Sequence, residues 1–155
     1  MPSEGKIEFY SGNDTPISEV FPLLSIAAPY LDTIEEMTGQ EFFRFHSGFK
    51  PLFSGMSIQQ ILDRVGLENA ADKQIRYYSS GMKQRIKLAQ AFFSDTPVLL
   101  LDEPTTNLDA DGIRVYHELI QEFTRERLLI VSSNDPLEYS FCNNIINMST
   151  LKVTM

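Results

Sequence analysis

Residues 98–104 read Val-Leu-Leu-Leu-Asp-Glu-Pro, so that four apolar residues come directly before two adjacent carboxylates. A short continuous apolar run of this kind is typical of a strand buried on both faces of a parallel sheet. Open α/β sheets bind their ligands at the carboxyl ends of their strands. We therefore predict that Asp102 and Glu103 lie in a cleft at that edge of a sheet.

A second motif lies just upstream, where residues 78–85 read Tyr-Ser-Ser-Gly-Met-Lys-Gln-Arg. The small residues around Gly81 open an amphipathic run that continues to Phe93, which predicts a helix that begins at this cluster. The first backbone N–H groups of a helix have no partner within the helix and readily bind an anion. Together the two motifs indicate a nucleotide hydrolase.

The motifs resemble, in order and spacing, those of the nucleotide-binding domain of ATP-binding cassette (ABC) transporters. Residues 78–82 resemble the signature motif, residues 98–103 resemble Walker B, and residues 106–109, Thr-Asn-Leu-Asp, resemble the D-loop. Three such motifs in this order are far more specific than any one of them alone. The resemblance implies a P-loop NTPase-like α/β fold, in which a mostly parallel sheet carries an inserted helical subdomain.

The hydrophobic pattern divides the chain into three parts. Residues 1–31 are predicted to form strands, residues 32–76 the helical subdomain, and residues 77–155 the signature helix, Walker B, D-loop and carboxyl-terminal α/β part. The predicted strands are Lys6–Tyr10, Pro22–Ala28 and Leu128–Ser132, with a turn at residues 11–14 and a closing hairpin at Ile145–Val153. The predicted helices are Gln40–Ser47, Ser57–Val65, Pro136–Phe141 and one that starts at Asp109 or Asp111 and passes through Phe123.

A P-loop is missing from the 155 residues, which contain no Gly, four residues, Gly-Lys and Ser or Thr. In a P-loop the backbone N–H groups wrap the phosphates and the lysine neutralises them. Residues 2–9 resemble the turn and strand that follow the P-loop helix in the family. We therefore expect that the chain starts downstream of its own P-loop. It would then lack the P-loop strand, which we expect next to the Walker B region.

The resemblance also implies roles for individual residues. Glu103 would polarise the attacking water, and Asp102 would hold Mg²⁺ through its water shell. ATP would be the nucleotide, and Asp109 would belong to its site through the D-loop. The signature residues would contact the γ-phosphate of an ATP held by an opposing subunit, and these are Ser79, Ser80, Gly81 and Met82. A purely structural role for Ser79, as a helix cap, is expected beside this one.

Several positions depart from the family pattern. Ser80 and Met82 stand where the family favours glycine and glutamine, and Asn134 stands where it has a histidine that contacts the γ-phosphate. Asparagine donates a hydrogen bond but carries no charge and no exchangeable proton for catalysis. Residues 27–31 also lack the glutamine that touches magnesium in the family. An alternative function is therefore a degenerate, non-hydrolysing domain that acts as a regulatory or structural partner, although the intact Glu103 argues against it.

The amino-acid composition limits the classes of ligand and partner that the chain is expected to have. The net charge of −8 argues against nucleic acid as the main ligand, because phosphate backbones favour a basic surface. A single cysteine excludes an internal disulfide, and no apolar run reaches the ~18 residues of a spanning helix. The resemblance then implies two partners, a second nucleotide-binding domain and a membrane-spanning transporter subunit. It also implies a cytoplasmic location at the inner face of the membrane.

Two residue clusters have competing interpretations, and the two histidines have one. Residues 73–87 hold five basic residues and no acid, which indicates either a solvated helix face or a patch that attracts polyphosphate. Five phenylalanines between residues 42 and 53 form either core or a contact with the membrane subunit. His46 and His117 have no second histidine or cysteine at ligand spacing, so we do not expect them to bind metal.

Overall fold

A three-stranded parallel sheet organises the computed structural model, which describes residues 6–10 and 14–150. Its strands are β1 (Leu24–Ala27), β2 (Val98–Asp102) and β3 (Leu128–Ser132), in the spatial order β1-β2-β3. The register places Asp102 of β2 opposite Ser132 of β3, so the two strands end together. The α/β fold with a parallel sheet that the sequence predicts is confirmed.

Among the described residues, five α-helices accompany the sheet: α1 (Gly39–Ser47), α2 (Ile58–Arg64), α3 (Ser80–Phe93), α4 (Ala110–Phe123) and α5 (Pro136–Tyr139). Helices α1 and α2 begin with capping boxes, in which Thr38 and Ser57 exchange hydrogen bonds with the residue three positions on. Aspartates cap α4 and α5 through Asp109 and Asp135. These caps explain why the predicted helix starts lie within one residue of the observed ones.

The core lies between one face of the sheet and helices α3 and α4. Leu99 and Leu101 of β2 are fully buried there, together with Phe92 of α3 and Tyr116 of α4. Both connections, from β1 to β2 and from β2 to β3, step along the sheet in the same direction. Because parallel crossovers are right-handed, their helices must pack on the same face.

Among the described residues, no helix covers the opposite face of the sheet. Its side chains form two rows that the register aligns, and they lie outside the hydrophobic core cluster: Leu24, Val98 and Leu128 in one row, and Ile26, Leu100 and Ile130 in the other. Leu128 and Ile130 are 59% and 51% exposed. Parallel sheets are normally covered on both faces, so this apolar surface is unusual.

Strand β2 occupies the centre of the sheet, paired with β1 on one side and β3 on the other. The expectation that a further strand lies next to the Walker B segment is therefore wrong, since β2 has no free edge. Within the described residues, the uncovered edges belong to β1 and β3.

Two further predicted elements differ from the structure. Lys6–Tyr10 forms only an isolated bridge between Tyr10 and Pro16, with a hydrogen bond from the Ile17 amide to the Phe9 carbonyl. Its alternating side chains are exposed, so no core fixes a longer ladder. Residues 145–150 hold a single 3₁₀ turn, Met148–Thr150, instead of the start of a hairpin. Residues 11–13 of the predicted turn and 151–153 of the predicted hairpin lie outside the described residues.

Candidate functional site

Strand β2 ends at the two acidic residues. Asp102 is the last residue of the strand, and the Glu103 amide donates to the Ser132 carbonyl at 2.9 Å, which extends the ladder by one residue. The Glu103 backbone then adopts φ 40°, in the left-handed region that residues other than glycine rarely occupy. Strain of this kind costs about 1–3 kcal/mol and is concentrated at functional sites. The backbone thus turns sharply at the residue predicted to be catalytic.

A cleft of about 270 Å³ lies at this edge of the sheet. Its walls are the segment after β2 and the segment after β3, and they comprise Glu103, Thr105, Thr106, Ser133, Asn134, Asp135 and Glu138. The structure therefore brings Glu103 and Asn134 into one cavity, although they are 31 positions apart in the sequence. Asp102 pairs with Ser132 on the neighbouring strand but is not one of the residues that line the cavity.

The loop after Glu103 is fixed by side chains from other elements. The Pro104 carbonyl accepts a hydrogen bond from Gln84 Nε2 at 2.9 Å, and Glu138 binds Thr105. At the far end, Asp109 caps α4 through the Gly112 amide at 2.8 Å and pairs with Arg85 at 2.7 Å. The Gly112 amide, and then Arg85, lower the pKa of Asp109. Asp109 is therefore ionised at neutral pH, as its capping role requires.

The signature segment forms the amino terminus of α3. Ser79 is the N-cap, and its hydroxyl oxygen accepts from the Met82 amide at 3.2 Å. Ser79 and Ser80 are exposed. A Cβ atom on Gly81 would lie 3.0 Å from the Asn107 carbonyl, so the absence of a side chain allows the D-loop to approach the helix closely. The capping role predicted for Ser79 is confirmed, while its hydroxyl proton stays available to donate.

The signature segment and the cleft remain separate. Ser79 to Met82 are absent from the residues that line the cleft beside Glu103. Within the part of the chain that the structure describes, the two halves of the predicted site thus do not form one pocket.

Four of the five basic residues between residues 73 and 87 are engaged by groups from elsewhere in the chain. Lys83 pairs with Glu35, and Arg85 pairs with Asp109. Lys87 donates to the Pro29 carbonyl at 2.6 Å, and Arg76, which precedes α3, lies 3.6 Å from Glu36. These contacts reduce the positive charge that a polyphosphate would meet, and the binding of polyphosphate by this cluster stays a prediction.

His46 and His117 make structural contacts. His46 Nε2 lies 2.8 Å from the Ser94 hydroxyl, and its Nδ1 lies 3.2 Å from Gln90 Nε2. Burial, followed by the nearby Lys50 charge, lowers the pKa of His46 to about 4. The His117 ring makes a tilted contact with Tyr116 and an edge-to-face contact with Phe141.

The phenylalanine cluster divides into two sets. Phe42 and Phe43 are buried, and Phe53 packs against Phe123 with ring centroids 5.8 Å apart. Phe45 and Phe49 make an edge-to-face contact, with ring centroids 5.0 Å apart, but stay 46% and 62% exposed. Part of the cluster is therefore core, and Phe45 with Phe49 forms an exposed aromatic pair.

A hydrated Mg²⁺ ion fits the donor set at the end of β2. Magnesium keeps several of its waters and is held by one or two carboxylates together with substrate phosphates. Asp102 and Glu103 supply two carboxylates that are adjacent in the sequence. Among residues 6–10 and 14–150, no group of three or more histidine, cysteine or acidic side chains could enclose a bare metal.

Sequence reasoning missed Glu138, Gln84 and Arg85, which hold the loop after β2. Glu138 is the clearest case, because it is a glutamate in a short surface helix and would ordinarily be exposed. Its partner, Thr105, lies 33 positions earlier. Nothing in the local pattern signals this contact.

This combination of features defines an α/β nucleotide-binding domain: a parallel sheet, paired acids at its carboxyl edge, and a serine-capped helix beside the following loop. The profile described as ABC transporter matches residues 2–106. The uncharacterized ABC transporter ATP-binding protein YhcH of Bacillus subtilis (strain 168) is 40% identical over 105 residues, which cover 61% of this chain and 34% of YhcH. The uncharacterized ABC transporter ATP-binding protein YcbN of the same strain is 31% identical over 136 residues, which cover 86% of this chain and 44% of YcbN.

A solved ATP-binding subunit of an ABC transporter has the same fold. It superposes with a TM-score of 0.61 at 19% identity, over 72% of this chain and 48% of that one. The chain belongs to the ABC transporter family. The chain spans 34% of the length of YhcH and 44% of the length of YcbN. Within the described residues, no helix combines the length and apolar composition needed to cross a membrane.

Proposed function

We propose that this chain is part of the ATP-binding subunit of an ABC transporter, and that the subunit hydrolyses ATP with Mg²⁺. The observation that carries the proposal is the cleft in which Glu103 and Asn134 meet at the carboxyl edge of the sheet. The ATP-binding relatives support it, and the family profile covers residues 2–106, which include Asp102 and Glu103.

The chemistry assigns a role to each group. Asp102 holds the Mg²⁺ shell, and the Glu103 carboxylate polarises the attacking water. Asn134 donates a hydrogen bond to the γ-phosphate but cannot supply positive charge. Catalysis of phosphoryl transfer rests mainly on positioning and charge neutralisation, so the backbone turn at Glu103 is central to the proposal.

The signature segment acts on a second subunit. Ser79 keeps its hydroxyl proton free while its oxygen caps α3, and the exposed helix amino terminus suits an anion. Because this segment is separate from the cleft of its own chain, we assign it to an ATP molecule bound by an opposing nucleotide-binding domain. Closure of the two domains would then transmit the energy of ATP to the transporter.

The membrane-spanning subunit is the second partner. The exposed pair of Phe45 and Phe49 on and after α1 offers an apolar contact for it. The net charge of −8 and the absence of a spanning helix in the described residues agree with a cytoplasmic subunit bound peripherally at the membrane.

Nucleotide-dependent dimerisation of the full-length subunit tests this proposal. Light scattering after size-exclusion chromatography should show a dimer with ATP and Mg²⁺ and a monomer without them. Gly81→Asp should abolish the dimer, because it places a side chain and a negative charge where the D-loop and the γ-phosphate approach. Ser47→Asp adds the same charge at an exposed residue of α1 and should dimerise normally. Dimerisation that is the same with and without ATP, or that is unchanged in the Gly81→Asp variant, would contradict the proposal.

A further inference from the structure

Glu138 is a buried carboxylate that contacts the loop after β2. Its side chain belongs to the short helix α5, yet the residue is only 3% exposed. Glu138 Oε1 accepts two hydrogen bonds from Thr105, one from the backbone amide at 2.7 Å and one from the hydroxyl at 2.5 Å. Burial of a carboxylate costs free energy unless hydrogen-bond donors satisfy it. The buried position of Glu138 therefore depends on the two hydrogen bonds from Thr105.

The position of Glu138 is itself fixed by the core. Tyr116 of α4 is fully buried, and its hydroxyl donates to the Glu138 carbonyl at 2.7 Å. Burial, and then the Glu138 charge, raise the pKa of Tyr116, so its hydroxyl stays protonated and able to donate. The contact between Glu138 and Thr105 therefore connects the loop to a rigid part of the molecule.

Thr105 lies two residues after Glu103. On the other side, the Glu103 amide is held by the Ser132 carbonyl at 2.9 Å. The residue with φ 40° thus lies between two fixed points, one on β3 and one on α5. Without the second point, the strained backbone is free to relax toward an ordinary conformation.

We propose that Glu138 is a positioning residue, which acts through Thr105 to hold Glu103 in the orientation that hydrolysis needs. This inference rests on the proposed function. Glu138 acts as a hydrogen-bond acceptor in this role and neither takes a proton nor binds the metal. The negative charge of Glu138 is therefore dispensable for this role, whereas an acceptor oxygen within hydrogen-bond distance of Thr105 is required.

Three variants of the full-length subunit separate these properties. Glu138→Gln keeps an acceptor oxygen at the same reach and should retain kcat to within about threefold. Glu138→Ala removes the acceptor, and Glu138→Asp keeps the charge but shortens the side chain. Both should lower kcat about tenfold or more with little change in KM for ATP, because misplacement of a reacting group by ~1 Å can cost up to ~10²-fold. Glu122→Ala, which breaks an exposed ion pair with Arg64, is the matched control and should leave kcat unchanged.

Amide hydrogen exchange at Thr105 gives a readout that does not need turnover. Exchange should accelerate in Glu138→Ala and Glu138→Asp, and stay near the parental rate in Glu138→Gln and Glu122→Ala. A Glu138→Gln variant as slow in turnover as Glu138→Ala, or Thr105 exchange unaffected by Glu138→Ala, would overturn the inference. If the parental subunit itself shows no turnover, the proposed function fails, and the exchange rates alone decide whether Glu138 holds the loop.

Discussion

At the scale of single residues, the cleft is shaped by side chains that reach it from distant parts of the chain. Glu138 holds Thr105, Gln84 holds Pro104, and Arg85 holds Asp109. These bonds fix the loop on both sides of the D-loop residue Asn107, which itself adopts φ 65°. A strained loop of this kind persists only where its surroundings determine it.

His46 makes stability depend on pH. The pKa of His46 is lowered from 6.5 to about 4 in the folded protein, so the unfolded chain binds its proton first on acidification. Protonation therefore favours the unfolded state, and the free energy of unfolding should fall as the pH drops from 6.5 to about 4 and then level off for this group. Urea denaturation across this range should show a shallower pH dependence for His46→Gln than for the parent. Identical pH profiles for the two proteins would show that His46 does not contribute.

The sequence predicted the acids at the sheet edge better than the contacts that support them. Asp102 and Glu103 could be placed because they end an apolar strand of a parallel sheet, whereas Asn134 was placed by the resemblance to the family. Glu138 and the ion pairs of Lys83 and Arg85 depend on contacts across 24 to 48 positions, which no local pattern encodes. The basic cluster could therefore be found in the sequence, but its acidic partners could not.

At the scale of elements, Arg127 connects the end of α3 with the starts of the strands. Its guanidinium donates to the Phe92 carbonyl at 2.9 Å and to the Ala91 carbonyl at 3.4 Å, both in the last turn of α3. It also binds Thr96 and the Ser25 hydroxyl of β1. Burial lowers the pKa of Arg127 to about 10, so the side chain stays charged at neutral pH and complements the negative end of the helix dipole.

Removal of this guanidinium should destabilise the fold. Arg127→Met leaves several carbonyl groups without donors, and we expect a loss of about 2–4 kcal/mol in the free energy of unfolding. Arg125→Met is the matched control, since exposed Arg125 makes a single hydrogen bond to the Gln121 carbonyl, and it should cost under about 0.5 kcal/mol. Chemical denaturation of both variants measures the difference. Equal losses would refute the role assigned to Arg127.

Helices were easier to predict than strands. Four helices begin at local caps that are visible in the sequence: Thr38, Ser57, Ser79 and Asp109. The predicted starts of these helices therefore lie close to the observed ones. Lys6–Tyr10 alternates like a strand, but alternation alone does not supply a partner. That segment forms only a bridge to Pro16.

At the scale of the whole molecule, the helices α3 and α4 cover one face of the sheet. The other face exposes an apolar surface centred on Leu128 and Ile130 of the edge strand β3. Exposed apolar edge strands tend to pair with other chains. The 155-residue chain should therefore self-associate when it is expressed alone.

Light scattering across a concentration series of the 155-residue chain measures this tendency. We expect the apparent mass to rise with concentration, and the double variant Leu128→Lys, Ile130→Glu to reduce the rise. Tyr77→Lys replaces an exposed aromatic residue away from the sheet and should leave it unchanged. A monodisperse monomer at high concentration would show that this face does not mediate self-association.

Turnover by the Glu103→Gln variant measures whether Glu103 activates water for ATP hydrolysis. Glutamine keeps the size and hydrogen bonding of the side chain but cannot polarise water as a carboxylate does. In the full-length subunit, assayed with its membrane partner, phosphate release should fall about 10²–10⁴-fold while ATP stays bound and holds the dimer together. Near-parental phosphate release by Glu103→Gln would contradict the assignment of Glu103, and a parental subunit without turnover would favour the non-hydrolysing alternative.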